Sequence, residues 1–433
     1  MNQKIKVNGF IFVTFLAITY PILPNYFVFG KFMIRDLIAI ICLLISNVFF
    51  LQNKMKFNKY TRTYIKVIII WIGITALIQC YHSDYIFAFK QILLWLLIIP
   101  ISIIGINSKK KFLFIVDVLI ITACVIGIFG IIEELTNFNI FSLLNNAGYE
   151  LNYNPARFGM TRIISFTSHA ITYCSYCMMI TALIVYRISL TNSKKRFFYF
   201  VCYFIVGINA LFTLSRSAII CLFFCQLILL WLSGFKYFIK KMIKFIILII
   251  SIVGLLCIFN ENIRKIVLLA YYTIMVIFND DYTSYLLTAG LVDNTQGVGD
   301  RFSLYKWVFS DVRDNLIFGK GRMIDFHHAF RRNGYLIIKE SIEVEWLRTL
   351  WRYGLVGMFT EVYYYIVLLF LTTKKNFKKP KSWEEKLSFV QCFLAILISY
   401  IFLLFAVMQN EEGQLMYIVS ALFLSYIANK GFE

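Results

Sequence analysis

Residues 112–132 read FLFIVDVLIITACVIGIFGII. That is about twenty residues, the helix length needed to cross a hydrocarbon layer roughly 30 Å thick, with Asp117 as its one charge. Runs of the same character lie at 10–29, 34–51, 65–81, 86–106, 168–186, 197–214, 217–234, 245–259, 354–372, 387–408 and 414–429. Irregular backbone cannot face lipid, so each run is expected to be a helix. Hydrophobic residues make up 60% of the 433-residue chain and charged residues 15%, whereas a soluble domain is roughly 45–50% apolar. This excludes a soluble enzyme, a disordered chain and a coiled coil. The expected fold is all-α: a polytopic helical membrane protein with about twelve transmembrane helices.

The charge balance fits that fold. The chain carries 43 Lys and Arg against 23 Asp and Glu, a formal +20. In a soluble protein this would suggest nucleic acid. Here the basic residues cluster in short loops between apolar runs, which is the positive-inside bias of a membrane protein, and no nucleic-acid partner is expected. With the N-terminus in the cytoplasm and the sides alternating, the cytoplasmic loops hold 25 of the 43 basic residues. Their acidic residues are Glu384, Glu385 and Glu433. Both termini are therefore expected to be cytoplasmic. The first run follows Lys4 and Lys6 without a small-x-small cleavage site, so it reads as an uncleaved span.

The organisation expected is a bundle of nine spans over 1–259 with an outer loop at 133–168, a large outer loop with short helical segments over 260–353, and three further spans over 354–433. Residues 263–278 (IRKIVLLAYYTIMVIF) are apolar enough to be a short span. A span there would put the basic stretch KKNFKKPK outside, so an interfacial or re-entrant helix is the better expectation. Most of the ten Cys fall inside apolar runs, where Cys behaves as a small hydrophobe, and no disulfide framework is read. The Cys174-x-x-Cys177 pair lies on an apolar helix and is not read as redox-active. No phosphate-cradling Gly-rich loop is present, so ATP use is not expected.

The polar chemistry converges on the outer face. His82, His169, His327 and His328 fall there, as do Arg157, Arg162, Arg216, Arg301, Arg348 and other arginines. Guanidinium forks match phosphate oxygens, so this crowding suggests an anionic ligand at the membrane boundary, against the plainer alternative of solvated loop charges. Arg216 stands out because it sits in TLSRSA (213–218), a very tight turn between two apolar helices, where a charge is costly. In SIEVEWLRTLWRYGLVG (341–357), helical spacing puts Glu343, Leu347, Leu350, Gly354 and Gly357 within about 40° of one line. Glu343 thus heads the stripe expected to pack into the bundle, and partial burial suits a carboxylate to general-base work; its alternative is a paired or capping carboxylate near a helix start. Glu345, Arg348 and Arg352 fall on the other side at ion-pair spacing, so Glu345 reads as a structural partner. Asp117 and Glu361 are intramembrane acids; Asp117 is expected to snorkel toward Lys109–Lys111. His327-His328 and Asp280-Asp281 are weak signals for a metal, and no metal site is assigned.

Three of these stretches resemble one family, the polytopic O-antigen ligase and Wzy-type polysaccharide polymerase superfamily. TLSRSA is similar to its S-R-[GS]-A turn. Arg301 with Trp307 and the following IFGKG (317–321) resembles its R-x(5)-W…G-x-G segment. SIEVEWLRTLWRYGLVG resembles its last element, H-N-x-x-L…G-x-x-G, with Leu347, Gly354 and Gly357 in register. RFGMTRIISFTSHA (157–170) more loosely resembles the Arg-containing stretch before the sixth span. Ligases of that family carry His at the position of Glu343, so a Glu there fits a polymerase better. The resemblance implies a GT-C-like membrane glycosyltransferase with no metal, cofactor or nucleotide sugar. Its substrates would be undecaprenyl-diphosphate-linked oligosaccharides, donor and acceptor, met at the outer face of the bacterial cytoplasmic membrane. Glu343 would be the general base, with Arg216, Arg301, Arg162, Arg157 and Arg348 on the diphosphate and Glu345, His169, His327 and His328 as lesser candidates. A chain-length regulator and a flippase would be its protein partners. The product would be O-antigen, capsule or exopolysaccharide. The rival readings are a ligase acting on another acceptor and, in a different class, a lipid-linked oligosaccharide flippase.

Overall fold

The computed structural model describes residues 9–30, 32–38, 40–41, 59–92, 106, 108–146, 148, 161–191, 193–233, 298–332, 335–373, 387–405 and 414–429, with scattered positions between 247 and 275. They are mostly helical. In chain order the elements are α1 (Gly9–Ile22), β1 (Val28–Phe29), β2 (Phe32–Met33), α2 (Lys59–Tyr81), α3 (Lys109–Thr136), α4 (Ala170–Leu190), α5 (Ser193–Phe212), α6 (Arg216–Leu232), α7 (Val298–Val312), β3 (His328–Arg332), β4 (Tyr335–Lys339), α8 (Glu345–Thr373), α9 (Phe389–Leu404) and α10 (Gln414–Ala428). Each β pair is a two-stranded antiparallel hairpin.

Among the described residues, five helices are long and apolar enough to cross a membrane: Lys59–Tyr81, Lys109–Thr136, Ala170–Leu190, Lys195–Phe212 and Glu345–Thr373. The expected runs 65–81, 112–132, 168–186, 197–214 and 354–372 fall on them. Shorter apolar helices cover Ser217–Leu232, Phe389–Leu404 and Leu415–Ala428. The runs at 34–51, 86–106, 245–259 and 263–278 lie largely outside the described residues. The protein is a multi-helix membrane protein.

Helix ends follow local chemistry. Ser108 caps α3, accepting from the Lys111 amide at 3.4 Å, and Asn137 closes it in the left-handed region at φ 55°. Ser388 and Gln391 form a capping box on α9. Helix α4 is buried from Ala170 to Arg187 because α3, α5, α6, α9 and α10 surround it. Aromatic pairs join the helices within a mostly aliphatic core. Phe393 stacks on Phe423 at 4.2 Å, joining α9 to α10, and Trp71 stacks on Tyr364 at 4.7 Å, joining α2 to α8.

The bundle has two unlike ends. One holds the starts of α2, α3 and α9 and the α4–α5 turn. The other, loop-rich end gathers the β1–β2 hairpin, residues 137–146 and 161–169, the 213–215 turn, and residues 298–332 and 335–354. A hydrogen-bonded chain runs along this end. Asn146 exchanges bonds with the Val28 backbone at 2.9 and 2.6 Å, and Asn139 donates to the Ser165 carbonyl at 2.7 Å.

Helix α8 corrects the sequence expectation. The stripe from Glu343 to Gly357 assumed one continuous helix. Instead the helix begins at Glu345 and breaks at Gly354, whose φ is 64° and ψ −165°. Thr349 donates to Glu361 at 2.8 Å, and the rings of Trp346 and Tyr365 lie 5.8 Å apart. In a straight helix those pairs would be roughly 18 and 28 Å apart, at 1.5 Å per residue. The first arm, 345–353, therefore folds back along the second, 355–373.

The break leaves orphan peptide groups on both arms, and residues 316–321 satisfy them. The Leu355 and Val356 amides donate to the Leu316 and Ile317 carbonyls at 2.8 and 3.2 Å; the Lys320 and Gly321 amides donate to the Trp351 and Arg352 carbonyls at 2.8 and 3.0 Å. The backbones cross so closely that a Cβ at Gly354 would lie 2.2 Å from the Ile317 oxygen, and one at Gly319 would lie 2.5 Å from the Arg352 carbonyl carbon. Both glycines also have positive φ, 64° and 70°. The G-K-G and G-x-x-G motifs are thus two halves of one backbone crossing.

Candidate active site

The loop-rich end carries the polar side chains in three groups. The first is built on the turn between α5 and α6. Leu214 holds φ 49°, which reverses the chain within three residues. Buried Arg162 reaches across from the preceding segment, its Nε donating to the Thr213 carbonyl at 3.0 Å and its Nη2 to Ser215 Oγ at 2.8 Å. Ser215 stands at the N-cap of α6 but makes no side-chain cap bond; its hydroxyl is bonded to Arg162 and to the Thr213 carbonyl. The Arg162 segment is held in turn by buried Glu133, which accepts from the Ile164 and Ser165 amides at 3.2 and 3.0 Å. Arg216 is the first residue of α6. A cation at a helix N-terminus sits on the positive end of the helix dipole, an arrangement that favours an anion there and costs about 0.3–1 kcal/mol without one. For Arg216 and for Arg301, in the first turn of α7, the backbone position is what is described; Arg157 lies outside the described residues.

The second group is the outer subdomain on α7. Leu304, Val308 and Val312 form an i, i+4, i+8 stripe buried against Ile342, Val344, Leu347, Leu350 and Trp351. Asp311 accepts from Lys320 Nζ at 2.7 Å and from Trp351 Nε1 at 2.6 Å. Partial burial pushes the Asp311 carboxyl up, but those two hydrogen bonds outweigh it and hold it below its ordinary range. Trp307 lies under the β3–β4 hairpin, stacked with His328 at 4.5 Å and Phe330 at 4.7 Å. Glu343 sits just before α8, its side chain 40% exposed, and pairs with Lys339 at the end of β4. It does not head a helical stripe, because the strand end and not the helix positions it.

The third group is buried where the first arm of α8 meets the bundle. Glu345 and Arg348 pair at 2.7 Å, with side chains 4% and 5% exposed, so the ion pair expected from their spacing forms on the buried side and not on the opposite, open one. Arg35, Asp36 and Lys90 lie near the same end. Arg35 bonds Asn25, and Lys90 pairs with Asp36 at 3.3 Å. The sequence reading missed this cluster; the Arg35-Asp36 pair at the head of an apolar run was the signal.

The histidines serve local structure. His169 Nδ1 accepts from the Ile171 amide at 3.2 Å and caps α4. His328 stacks on Trp307, and His327 is exposed. Among the described residues no group of three or more His, Cys, Asp or Glu is placed to hold a metal ion. Far from all this, Asp117 does not snorkel to the basic loop. It takes a two-pronged bond from Arg187, with Nη2 to Oδ2 at 2.8 Å, and a bond from Tyr199 at 2.7 Å.

The structure therefore joins the Arg162 and Arg216 motifs directly, and joins the Arg301 helix to the segment bearing Glu343 through the α7 core. Comparison with known proteins points to the same region. Residues 198–361, from α5 through the Gly354 break, match the family described as O-Antigen ligase. The resemblance to the O-antigen ligase and Wzy-type superfamily is borne out, and the match supports a membrane enzyme of ligase or polymerase type, glycosyltransferase-like and tied to O-antigen-related biosynthesis. No curated protein matches the chain.

Proposed function

We propose that this chain is a polysaccharide repeat-unit polymerase of the bacterial cytoplasmic membrane. It joins undecaprenyl-diphosphate-linked oligosaccharides by inverting, metal-independent glycosyl transfer. Both termini lie in the cytoplasm, about twelve helices span the bilayer, and the loop-rich end faces outward. The observation that carries this reading is the Arg162 clamp on the turn that opens α6 with Arg216, a turn that lies inside the region matching the family described as O-Antigen ligase.

Glu343 takes the proton from the non-reducing-end hydroxyl of the acceptor, and the oxygen attacks the donor anomeric carbon. The anomeric C–O bond to the diphosphate breaks on the opposite face, and the electron pair leaves with the lipid diphosphate. Arg216, Arg301 and Arg162 stabilise the charge that grows there, a contribution typically worth about 10²–10³ in rate per donor. Arg157 and Arg348 support the same end. Half-exposed Glu343 is reachable by a hydroxyl from solvent, and its Lys339 partner keeps the carboxylate oriented.

The test is the polymer ladder from cells carrying Glu343→Gln or Arg301→Ala, with membrane protein level measured alongside. Loss of the ladder at normal level is expected; an intact ladder in the Glu343 variant removes that residue as the base. The description of the matched family favours one second reading, a ligase moving a finished glycan to another acceptor. A single modified acceptor in place of a ladder would establish it.

A further inference from the structure

The 316–324 stretch does more than complete the broken helix. Four large apolar side chains within it face away from the protein: Ile317 is 59% exposed, Phe318 48%, Met323 73% and Ile324 52%. Besides Leu316, the rest of the stretch is Gly319, Lys320, Gly321 and Arg322. A concentration of this kind on one loop marks an interaction surface, because scattered single apolar residues are normal and clustered ones are not.

Its attachments fix where that surface lies. The Leu316 and Ile317 carbonyls receive the first amides of the spanning arm of α8, Leu355 and Val356. The Phe318 ring lies 5.9 Å from the ring of Tyr81, the last residue of spanning helix α2, and the Phe318 carbonyl is within 3.4 Å of His82 Nε2. The Arg322 guanidinium lies over the Phe87 ring, 3.5 Å from its centre. The loop is thus pinned to the ends of two helices that are long and apolar enough to cross a membrane. Tyr81 and Tyr85, both exposed, supply the amphipathic rings typical of a membrane–water interface.

We propose that residues 317–324 form a foot inserted into the headgroup–acyl boundary of the adjacent leaflet, with bilayer phospholipid as its occupant. Ile317, Phe318, Met323 and Ile324 enter the acyl edge, while Lys320 and Arg322 stay at the level of the lipid phosphates. The foot is tied to α7 through the Lys320–Asp311 pair, so it sets the height of α7 above the membrane.

Environment-sensitive dye attached at Met323→Cys or Ile324→Cys tests this in phospholipid vesicles, with the labelling of the unmutated protein subtracted. Ile338→Cys on β4 is the control, since Ile338 is equally open at 54% but sits on the hairpin. Dyes at 323 and 324 should be quenched at least two-fold more by phospholipid with a headgroup-level nitroxide than the dye at 338, and shielded from aqueous iodide. Equal iodide quenching at 324 and 338 overturns the proposal. These sites are on the surface, so folding is not at issue; enzyme activity is not part of the readout, and the outcome stands apart from the polymerase reading.

Discussion

Helix α4 runs between two assemblies, each built around a buried arginine, that solve the same problem differently. At its end, Arg187 meets Asp117 two-pronged, and Tyr199 bonds to both. Opposite charges cancel inside that group. Before its start, Arg162 is held by a carbonyl and a hydroxyl, Thr213 O and Ser215 Oγ. The first arginine is fixed by a carboxylate and a phenol, the second by the backbone and hydroxyl of the turn that opens α6.

The widest separation between the two should come from charge removal at the second. Arg216→Ala, at the turn that Arg162 holds, is expected to lower polymer synthesis about 10²–10³-fold at unchanged membrane level, measured as the glycan ladder per unit protein. Asp117→Asn should do the reverse: a lower melting temperature by an amount corresponding to roughly 3 kcal/mol, because Arg187 is left buried and uncompensated, with little specific loss of turnover per folded molecule. The double change Asp117→Leu with Arg187→Met sharpens the point. Replacing a buried pair by apolar groups is often neutral or stabilising, so stability should return. Failure of the double variant to recover would mean the Asp117–Arg187 pair has a task beyond holding helices together.

Smaller effects are expected at the outer subdomain. Asp311→Asn removes the charged acceptor of Lys320 and Trp351, and should speed proteolysis of the 298–326 segment several-fold. The pH dependence has a definite sign. A carboxyl held below its ordinary range adds stability at pH values above that range and loses it as pH falls through the lowered value. Protection of this segment should therefore be flat from about pH 8 to 5 and fall only below about pH 4. Protection declining already between pH 8 and 6 would assign the transition to another group.

Much of this molecule was legible from residues alone. Where the chain is described, apolar runs such as 65–81, 112–132 and 168–186 fall on long helices. TLSRSA was recognised as a charged turn, because an Arg between two apolar helices has few innocent explanations. Other features escaped for identifiable reasons. Periodicity assigns a direction to every residue on one axis, so it could not show that the axis reverses at Gly354, nor that Glu343 precedes the helix. Pairings such as Asp117 with Arg187 or Asp36 with Lys90 join distant parts of the chain, and no local pattern encodes them. The bonds that carry Arg162 to the turn beside Arg216 likewise join distant segments, which no local pattern shows.

The backbone crossing at Gly319 and Gly354 has a mechanical consequence. Four peptide hydrogen bonds lash 316–321 to both arms of α8, so α7 cannot swing clear as an independent lid. Any gate that admits a bulky ligand must open elsewhere along this rim, and the β3–β4 hairpin, which rests on the Trp307 ring of α7 through His328 and Phe330, is the panel best placed to move.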